Sequence, residues 1–328
     1  MDKPSRLSII VAFALVYVIW GSTYLGIRIA IETIPPLLMA GVRFLLAGSI
    51  LFVIARRRDH SPISRIHWRS AFIVGALMLA FANGGVTWAE QKLDSGLAAL
   101  LVTMVPFWMV LLDWNRRGNR PSRPVILGLI TGFMGVLLLI GPDQIVSGES
   151  QIDLIGVGVI LVATMCWASG SILSKQVELP KTPITGTSME MLSGGAVLLV
   201  GSLFTGDWTK IEFAAISAKS LLAVLYLIIF GSIVAFTAYI WLLKNVSAAR
   251  VGTYAYVNPI VALFLGWSLA DETITVRTII ATAIVISSVA LITIYRTKPA
   301  PQIVEPVPTL EPVRFPPSTK PITSALGE

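Results

Sequence analysis

The sequence predicts an all-α integral membrane protein: ten transmembrane helices in two inverted five-helix repeats, with both termini in the cytoplasm. Three observations carry this. Composition is the first: of 328 residues, 55% are apolar and only 13% charged, with a mean hydropathy of +0.79, where an ordinary soluble domain has roughly 25% charged residues. So few polar side chains cannot cover a soluble globule. A cytosolic enzyme, a fibrous protein and a largely disordered chain are excluded, and a single cysteine, Cys166, excludes a disulfide scaffold. The second is a series of ten apolar stretches, each near the ~20 residues that a helix needs to cross a bilayer. The third is the placement of the cations. Nineteen of the 25 Lys and Arg fall at the termini or in even-numbered connections and five in odd-numbered ones, which sets the cytoplasmic side.

The stretches run 7–30, 36–55, 70–90, 95–114, 124–141, 152–174, 184–204, 219–243, 247–269 and 275–295. Each is apolar on all faces, so helices are favoured over the alternating strands of a barrel. Span 1 follows Lys3 and Arg6; it is too long for a signal-peptide h-region and reads as an uncleaved first helix. Span 2 opens at Pro35 and Pro36 and closes on Arg56, Arg57 and Arg58. Span 3 follows a polar stretch holding His60 and His67, and Glu90, Lys92 and Asp94 at its end read as solvated end charges. Span 4 carries Pro106 and is followed by basic residues with Gly118 and Pro121; span 5 ends at Gly141 and Pro142. Pro180 and Pro183 separate span 6 from span 7. Span 9 carries Pro259 and ends at Asp271 and Glu272, also read as solvated, before span 10. Eight of the thirty residues in 299–328 are proline, the composition of a disordered cytoplasmic tail.

The two halves, 1–145 and 146–298, resemble each other. A shift of 147 carries Trp20, Ser22 and Arg28 onto Trp167, Ser169 and Lys175, and places Arg43 on Glu190 and Gly48 on Gly195. A shift of 153 carries Trp88 and Pro106 onto Trp241 and Pro259. Five spans per half is an odd number, which forces opposite orientations in the bilayer. Inverted repeats of this kind place a binding site near the midplane between the halves.

The few polar and aromatic residues within the spans are the candidates for function. A charge inside a span costs roughly 2.5–3.5 kcal/mol on insertion scales, so Arg43 and Glu190 need a partner, water or a role: Arg43 fits a brace between helices or a substrate-carboxylate or gating contact, Glu190 fits a proton carrier or a group snorkelling toward the cytoplasmic interface, and Glu90 at a span end joins them as a gating candidate. Helix rise places Arg43 and Glu190 roughly 9 Å apart in depth, too far for an ion pair. Trp68, Trp114 and Trp208 fall at interfaces, where aromatic belts are ordinary. Trp20, Tyr24, Asn83, Trp88, Trp167, Tyr239, Trp241, Tyr254, Tyr256 and Asn258 are the candidate cavity residues, weighed against simple packing. Tyr254 and Asn258 share a helix face, with Tyr256 offset. Pro106 and Pro259 each remove an intrahelical bond and mark kinks. No histidine lies in a span and no Gly-x-Ser-x-Gly occurs, against an intramembrane enzyme; no phosphate-binding G-x4-GK[ST] loop occurs, against ATP hydrolysis. No metal site or cofactor is expected, and the basic excess reads as an orientation signal rather than a nucleic-acid surface.

Trp20, Gly21 and Ser22, Pro35 and Pro36 followed by Arg43 and Phe44, Pro106, and the spaced Gly128, Gly132 and Gly135 resemble the first half of EamA-type proteins of the drug/metabolite transporter superfamily. Trp167, Ala168 and Ser169, Asn258 and Pro259, and Glu272 resemble the second half. The resemblance covers residues 7–296. It departs in two places: a basic stretch at 116–123 stands where an acidic residue is usual, and Thr282, Ser287 and Ser288 stand where span 10 tends to have glycines, implying looser contacts there. The resemblance implies export or exchange of small, often amino-acid-like metabolites across the bacterial inner membrane by a monomer whose partners are its substrate and the lipid bilayer. A non-transporting receptor or assembly subunit is the alternative.

Overall fold

The computed structural model describes residues 5–118, 120–141, 152–246, 248–251 and 253–296; the proline-rich segment 299–328 lies outside them. Among the described residues every regular element is helical. The main helices are α1 (Arg6–Ala30), α2 (Pro36–Arg58), α3 (Arg65–Ala89), α4 (Ser95–Arg116), α5 (Arg123–Ile140), α6 (Leu154–Leu173), α7 (Pro183–Phe204), α8 (Ala218–Leu242), α9 (Tyr254–Leu269) and α10 (Val276–Arg296). Nine are long and apolar enough to cross a membrane, and α9 is shorter, at 16 residues.

The helix starts follow from local chemistry. Ser5, Ser64, Asp153 and Ser217 each accept a hydrogen bond from a first-turn amide of α1, α3, α6 and α8, satisfying donors that a helix leaves free at its start. A proline stands in the first turn of α2, α5 and α7, where its missing N–H costs nothing. Span 9 of the sequence reading is divided in the structure: a short helix, Ala248–Val251, precedes α9. The Thr253 hydroxyl bonds the Arg250 carbonyl (2.5 Å) and Tyr17 of α1 at that division. The helix of α4 is likewise interrupted, with Thr103 and Met104 between Ser95–Val102 and Val105–Arg117, so that Pro106 lies in the first turn of the second piece. Pro259 sits inside α9 and is buried.

Small residues bring helices close. In the α2–α7 pair, a Cβ added at Gly48 would lie 3.0 Å from Leu192 N and 3.1 Å from Ser188 O. One added at Gly195 would lie 2.9 Å from Leu45 N and 3.1 Å from Gly41 O. The contact is reciprocal: a shift of 147 turns Gly48, Leu45 and Gly41 into Gly195, Leu192 and Ser188. Gly41 meets Leu199 while Gly48 meets Ser188, so the two helices run antiparallel. Their ends are tied by aspartates. Asp207 accepts from Leu37 N (3.0 Å) and Leu38 N (3.3 Å) at the start of α2, and Asp59, just past α2, accepts from the hydroxyl of Thr182 at the start of α7. Hydrogen bonds from Ser61, then Thr182, hold the Asp59 carboxyl down at about 2, with Arg56 adding to the effect.

The α5–α10 pair shows the same reciprocity. A Cβ at Gly135 would lie 2.7 Å from Val285 Cγ2 and one at Gly132 would lie 3.3 Å from Ser288 Cβ, residues related by a shift of 153. The looser contact expected from the polar residues of span 10 is corrected here. Ser288 is buried and its hydroxyl donates to Gly128 O at 2.5 Å; the glycines of α5 supply the closeness that α10 lacks. The hydroxyl oxygen of Thr282, also on α10, is buried without a hydrogen-bond partner among the described residues.

Helices α3 and α8 share a further feature. Each contains a π-helical segment, Ala76–Asn83 in α3 and Leu227–Val234 in α8. Such wide turns interrupt the regular bonding ladder and recur at functional sites.

Candidate functional site

The π-helical segment of α8 is where most of the candidate residues converge. Gly231 lies within it, and its carbonyl accepts the indole N–H of Trp20 on α1 at 3.1 Å. With no side chain at Gly231, Thr23 Cγ2 and Arg43 Nη2 approach to 3.0 and 3.2 Å of where a Cβ would stand. Three helices, α1, α2 and α8, therefore meet on one residue. Around Trp20 are Tyr239 and Tyr254, each with its ring centre 5.1 Å away, and Phe236 at 6.0 Å. Tyr239 and Tyr254 lie edge to face at 5.9 Å. Such geometry adds about 0.5–1.5 kcal/mol per pair beyond area burial. The hydroxyls of Tyr24, Tyr239 and Tyr254 have no hydrogen-bond partner among the described residues, and the three side chains are half-buried rather than sealed. The cluster thus combines a rigid aromatic wall with free polar groups. Trp241 packs on its flank beside Leu242 and Val251.

Arg43 is buried, donates from Nε to Ser232 Oγ at 3.0 Å, and lies 4.8 Å over the Phe44 ring. Ser232 comes from the other half of the chain. Arg43 forms no ion pair with Glu190 among the described residues, in keeping with the separation in depth expected from their spans. Glu190 sits instead where α7 crosses α3, its backbone against Gly75.

The end of α3 corrects the sequence reading. Glu90 and Glu272, expected to be solvated, are 2% and 8% exposed. The reason is that the ends of α3 and α9 fold against the start of α4. Glu272 accepts from the backbone N–H of Ser95 (2.8 Å) and Gly96 (3.1 Å), the first residues of α4, a favourable place for an anion. Arg28 of α1 donates to Leu93 O at 2.8 Å and pairs with Asp94 at 3.4 Å. Glu90 lies within electrostatic reach of Glu272, Arg28, Arg43 and Tyr24, yet neither of its carboxyl oxygens has a hydrogen-bond partner.

The other candidates are spread more widely. Asn83 turns back to donate to Met78 O at 3.2 Å inside the π-helical segment of α3. Asn258 is buried, with its amide oxygen unpartnered. Tyr256 donates to Val289 O at 3.2 Å and so faces α10, away from Tyr254. Trp88 lies under Lys92, 5.5 Å from the ring centre, and helps line an apolar lateral cavity of about 340 Å³ with Phe81, Gly84, Gly85 and Leu198. Trp167 is half-buried on α6. Sequence reasoning missed Ser232, Phe236 and the hydrogen bond between Ser22 and Tyr226 (2.5 Å). Each sits in an apolar run with no local signal; only a partner distant in sequence marks it. Among the described residues no three His, Cys, Asp or Glu side chains come together as a metal site.

Among the described residues, nine helices long and apolar enough to cross a membrane, with a buried arginine and an aromatic cluster between them, define the class: a multi-pass helical membrane protein. Comparison with known proteins gives the family. The model of the EamA-like transporter family matches this chain twice, over residues 7–141 and 154–294. The chain is 39% identical over 297 residues to the uncharacterized inner membrane transporter YedA of Escherichia coli (strain K12), covering 90% of this chain and 94% of the relative. It is 26% identical to the uncharacterized transporter YoaV of Bacillus subtilis (strain 168), over 82% of this chain and 91% of the relative. A protein crystal structure shares its fold, with a TM-score of 0.58 at 17% identity over 89% of this chain and 99% of that one. The chain belongs to the EamA-like transporter family and is a multi-pass inner-membrane protein.

Proposed function

We propose that this protein is a secondary transporter that exports or exchanges small metabolites, amino-acid-like or related compounds, by alternating access between two inverted five-helix repeats, with both termini cytoplasmic. The observation that carries the reading is the aromatic cluster of Trp20, Tyr239 and Tyr254 with its free hydroxyls, beside the buried Arg43. Rings offer an apolar wall, hydroxyls orient polar groups, and Arg43 attracts an anionic group. These residues come from α1, α2, α8 and α9, so a ligand held there touches both halves and is exposed to one side or the other as they rock. The two family matches and the reciprocal contacts of α2 with α7 and α5 with α10 support the inverted repeat. Antiparallel contacts in which each residue meets the mate of its partner are those of a two-fold axis lying across the helices.

We read the protein as a transporter rather than an enzyme, acting as a monomer without a cofactor. The test is flux. Purified protein in liposomes, with insertion verified, is given a panel of radiolabelled metabolites; saturable movement of at least one supports the reading. Substitution of Arg43 by Lys or Gln then separates charge from bracing: a brace tolerates neither, and an anion contact keeps part of its activity with Lys.

A further inference from the structure

The sealed carboxyl group of Glu90 is not used by the aromatic cluster. Glu90 follows the last residue of α3, is 2% exposed, and neither oxygen completes a hydrogen bond of normal geometry among the described residues, the Arg28 backbone being the nearest donor. A carboxylate sealed from water in this way is costly to ionise unless it is closely paired, and Glu90 forms no ion pair among the described residues. Arg28 and Arg43 lie within electrostatic reach of Glu90, but their hydrogen bonds go to other groups: Arg28 to Leu93 O with Asp94 as its ion-pair partner, and Arg43 to Ser232; Lys92 pairs with Asp153 at 3.0 Å. A second acid, Glu272, lies close by, and two neighbouring carboxylates do not both ionise readily in a buried site. Their surroundings decide between them. Glu272 accepts from two backbone N–H groups at the start of α4, whereas Glu90, with the Arg28 backbone beside it, completes no hydrogen bond of normal geometry among the described residues. The remaining titratable neighbour, Tyr24 of α1, offers Glu90 no hydrogen bond.

We propose that Glu90 is the proton-binding site of the transport cycle, carrying a proton while α3, α4 and the α9–α10 connection are packed together and releasing it to water when they part. The inference rests on the transporter reading. The balance is simple: the carboxyl O–H breaks, the proton leaves to water, and the carboxylate left behind gains water as donor with Arg28 and Arg43 as the cations within reach. Outward opening is then linked to proton exchange on the outer side, where the predicted topology places the end of α3.

The experiment uses the full-length protein in proteoliposomes with the metabolite panel and an imposed pH gradient. For one proton per substrate, each pH unit changes the steady-state substrate gradient about tenfold. Wild type is expected to follow this, and Glu90→Gln to move substrate with no response to the gradient. Wild-type flux indifferent to the gradient, or a Glu90→Gln variant as responsive as wild type, overturns the proton site and leaves the transporter reading standing. Absence of all flux in wild type overturns the transporter reading instead. Infrared spectra then judge the proton site alone: a protonated carboxyl band in wild type that Glu90→Gln lacks and Glu90→Asp shifts supports it, and spectra of wild type and Glu90→Gln that coincide overturn it.

Discussion

The two π-helical segments occupy matching places in the two halves, yet their carbonyls are satisfied differently. Gly231 in α8 and Met78 in α3 are related by a shift of 153, and each accepts a side-chain N–H. At Gly231 the donor is Trp20 of another helix; at Met78 it is Asn83 of the same helix. Their packing partners match as well: Thr23 approaches Gly231 as Gly170 approaches Met78, and Thr23 and Gly170 are related by a shift of 147. The architecture is thus shared while the chemistry is not. The second half's bulge is tied to α1 and draws in the aromatic cluster. The first half's bulge closes on itself and borders an apolar lateral cavity lined by Ala80, Phe81 and Gly84. On the proposed inverted-repeat reading, the matched contacts are the frame and the unmatched hydrogen bonds set the candidate site apart.

The shared frame breaks most severely. Leucine at Gly48 or Gly195 would drive a side chain into the backbone of the opposite helix, and overpacking of this kind costs about 1–3 kcal/mol or more. Because the contact is reciprocal, both variants are expected to fall to similar, low yields of monodisperse protein in detergent. A harmful Gly48→Leu beside a harmless Gly195→Leu would break the symmetry argument. Next in size is the difference between the bulges. Trp20→Phe leaves Gly231 O without its donor, at about 1–3 kcal/mol, and is expected to lower thermal stability and flux together. Asn83→Leu removes only a local bond, and is expected to cost about 1 kcal/mol with flux retained. Equal losses of flux in the two would erase the distinction.

Smaller still in stability are Tyr239→Phe and Tyr254→Phe. Their hydroxyls have no hydrogen-bond partner among the described residues, so thermal stability should change by no more than about 0.5 kcal/mol, while flux of a polar substrate falls at least several-fold. Unchanged flux would make the cluster mere packing. The smallest effect is at Asp59. Its carboxyl titrates at about 2 in the folded chain against about 3.9 unfolded, so its contribution is full above that unfolded value and is lost as pH falls toward about 2. Asp59→Asn should remove this acid-dependent part of the melting curve and leave stability near neutral pH slightly lower.

Much of this was legible in the sequence because hydropathy, prolines and charged ends report directly on spans. Pro36 and Pro183 open helices where their sequence positions place them, and the apolar stretches coincide with the helices except where Thr103 and Met104 interrupt α4 and Ala248–Val251 stands apart from α9. Trp20, Tyr239 and Tyr254 were legible as aromatic residues beside polar ones, and the structure brings them together. The burial of Glu90 and Glu272 was not legible. An acid at the end of a span looks solvated until the packing of a distant helix is known, and Ser95 and Gly96 are far from Glu272 in the chain. Nor were the π-helical segments, because a wide turn in an apolar run changes neither its composition nor its period enough to notice.

The central claim, that the aromatic cluster between the halves is where a small metabolite is held and passed across the membrane, is tested most directly by flux. Wild type and Tyr254→Phe, matched for thermal stability and verified for insertion, are compared in proteoliposomes across the metabolite panel. The account predicts saturable flux of at least one compound by wild type and a several-fold lower rate for Tyr254→Phe. Equal rates in the two proteins, or no movement of any compound by wild type, would contradict it.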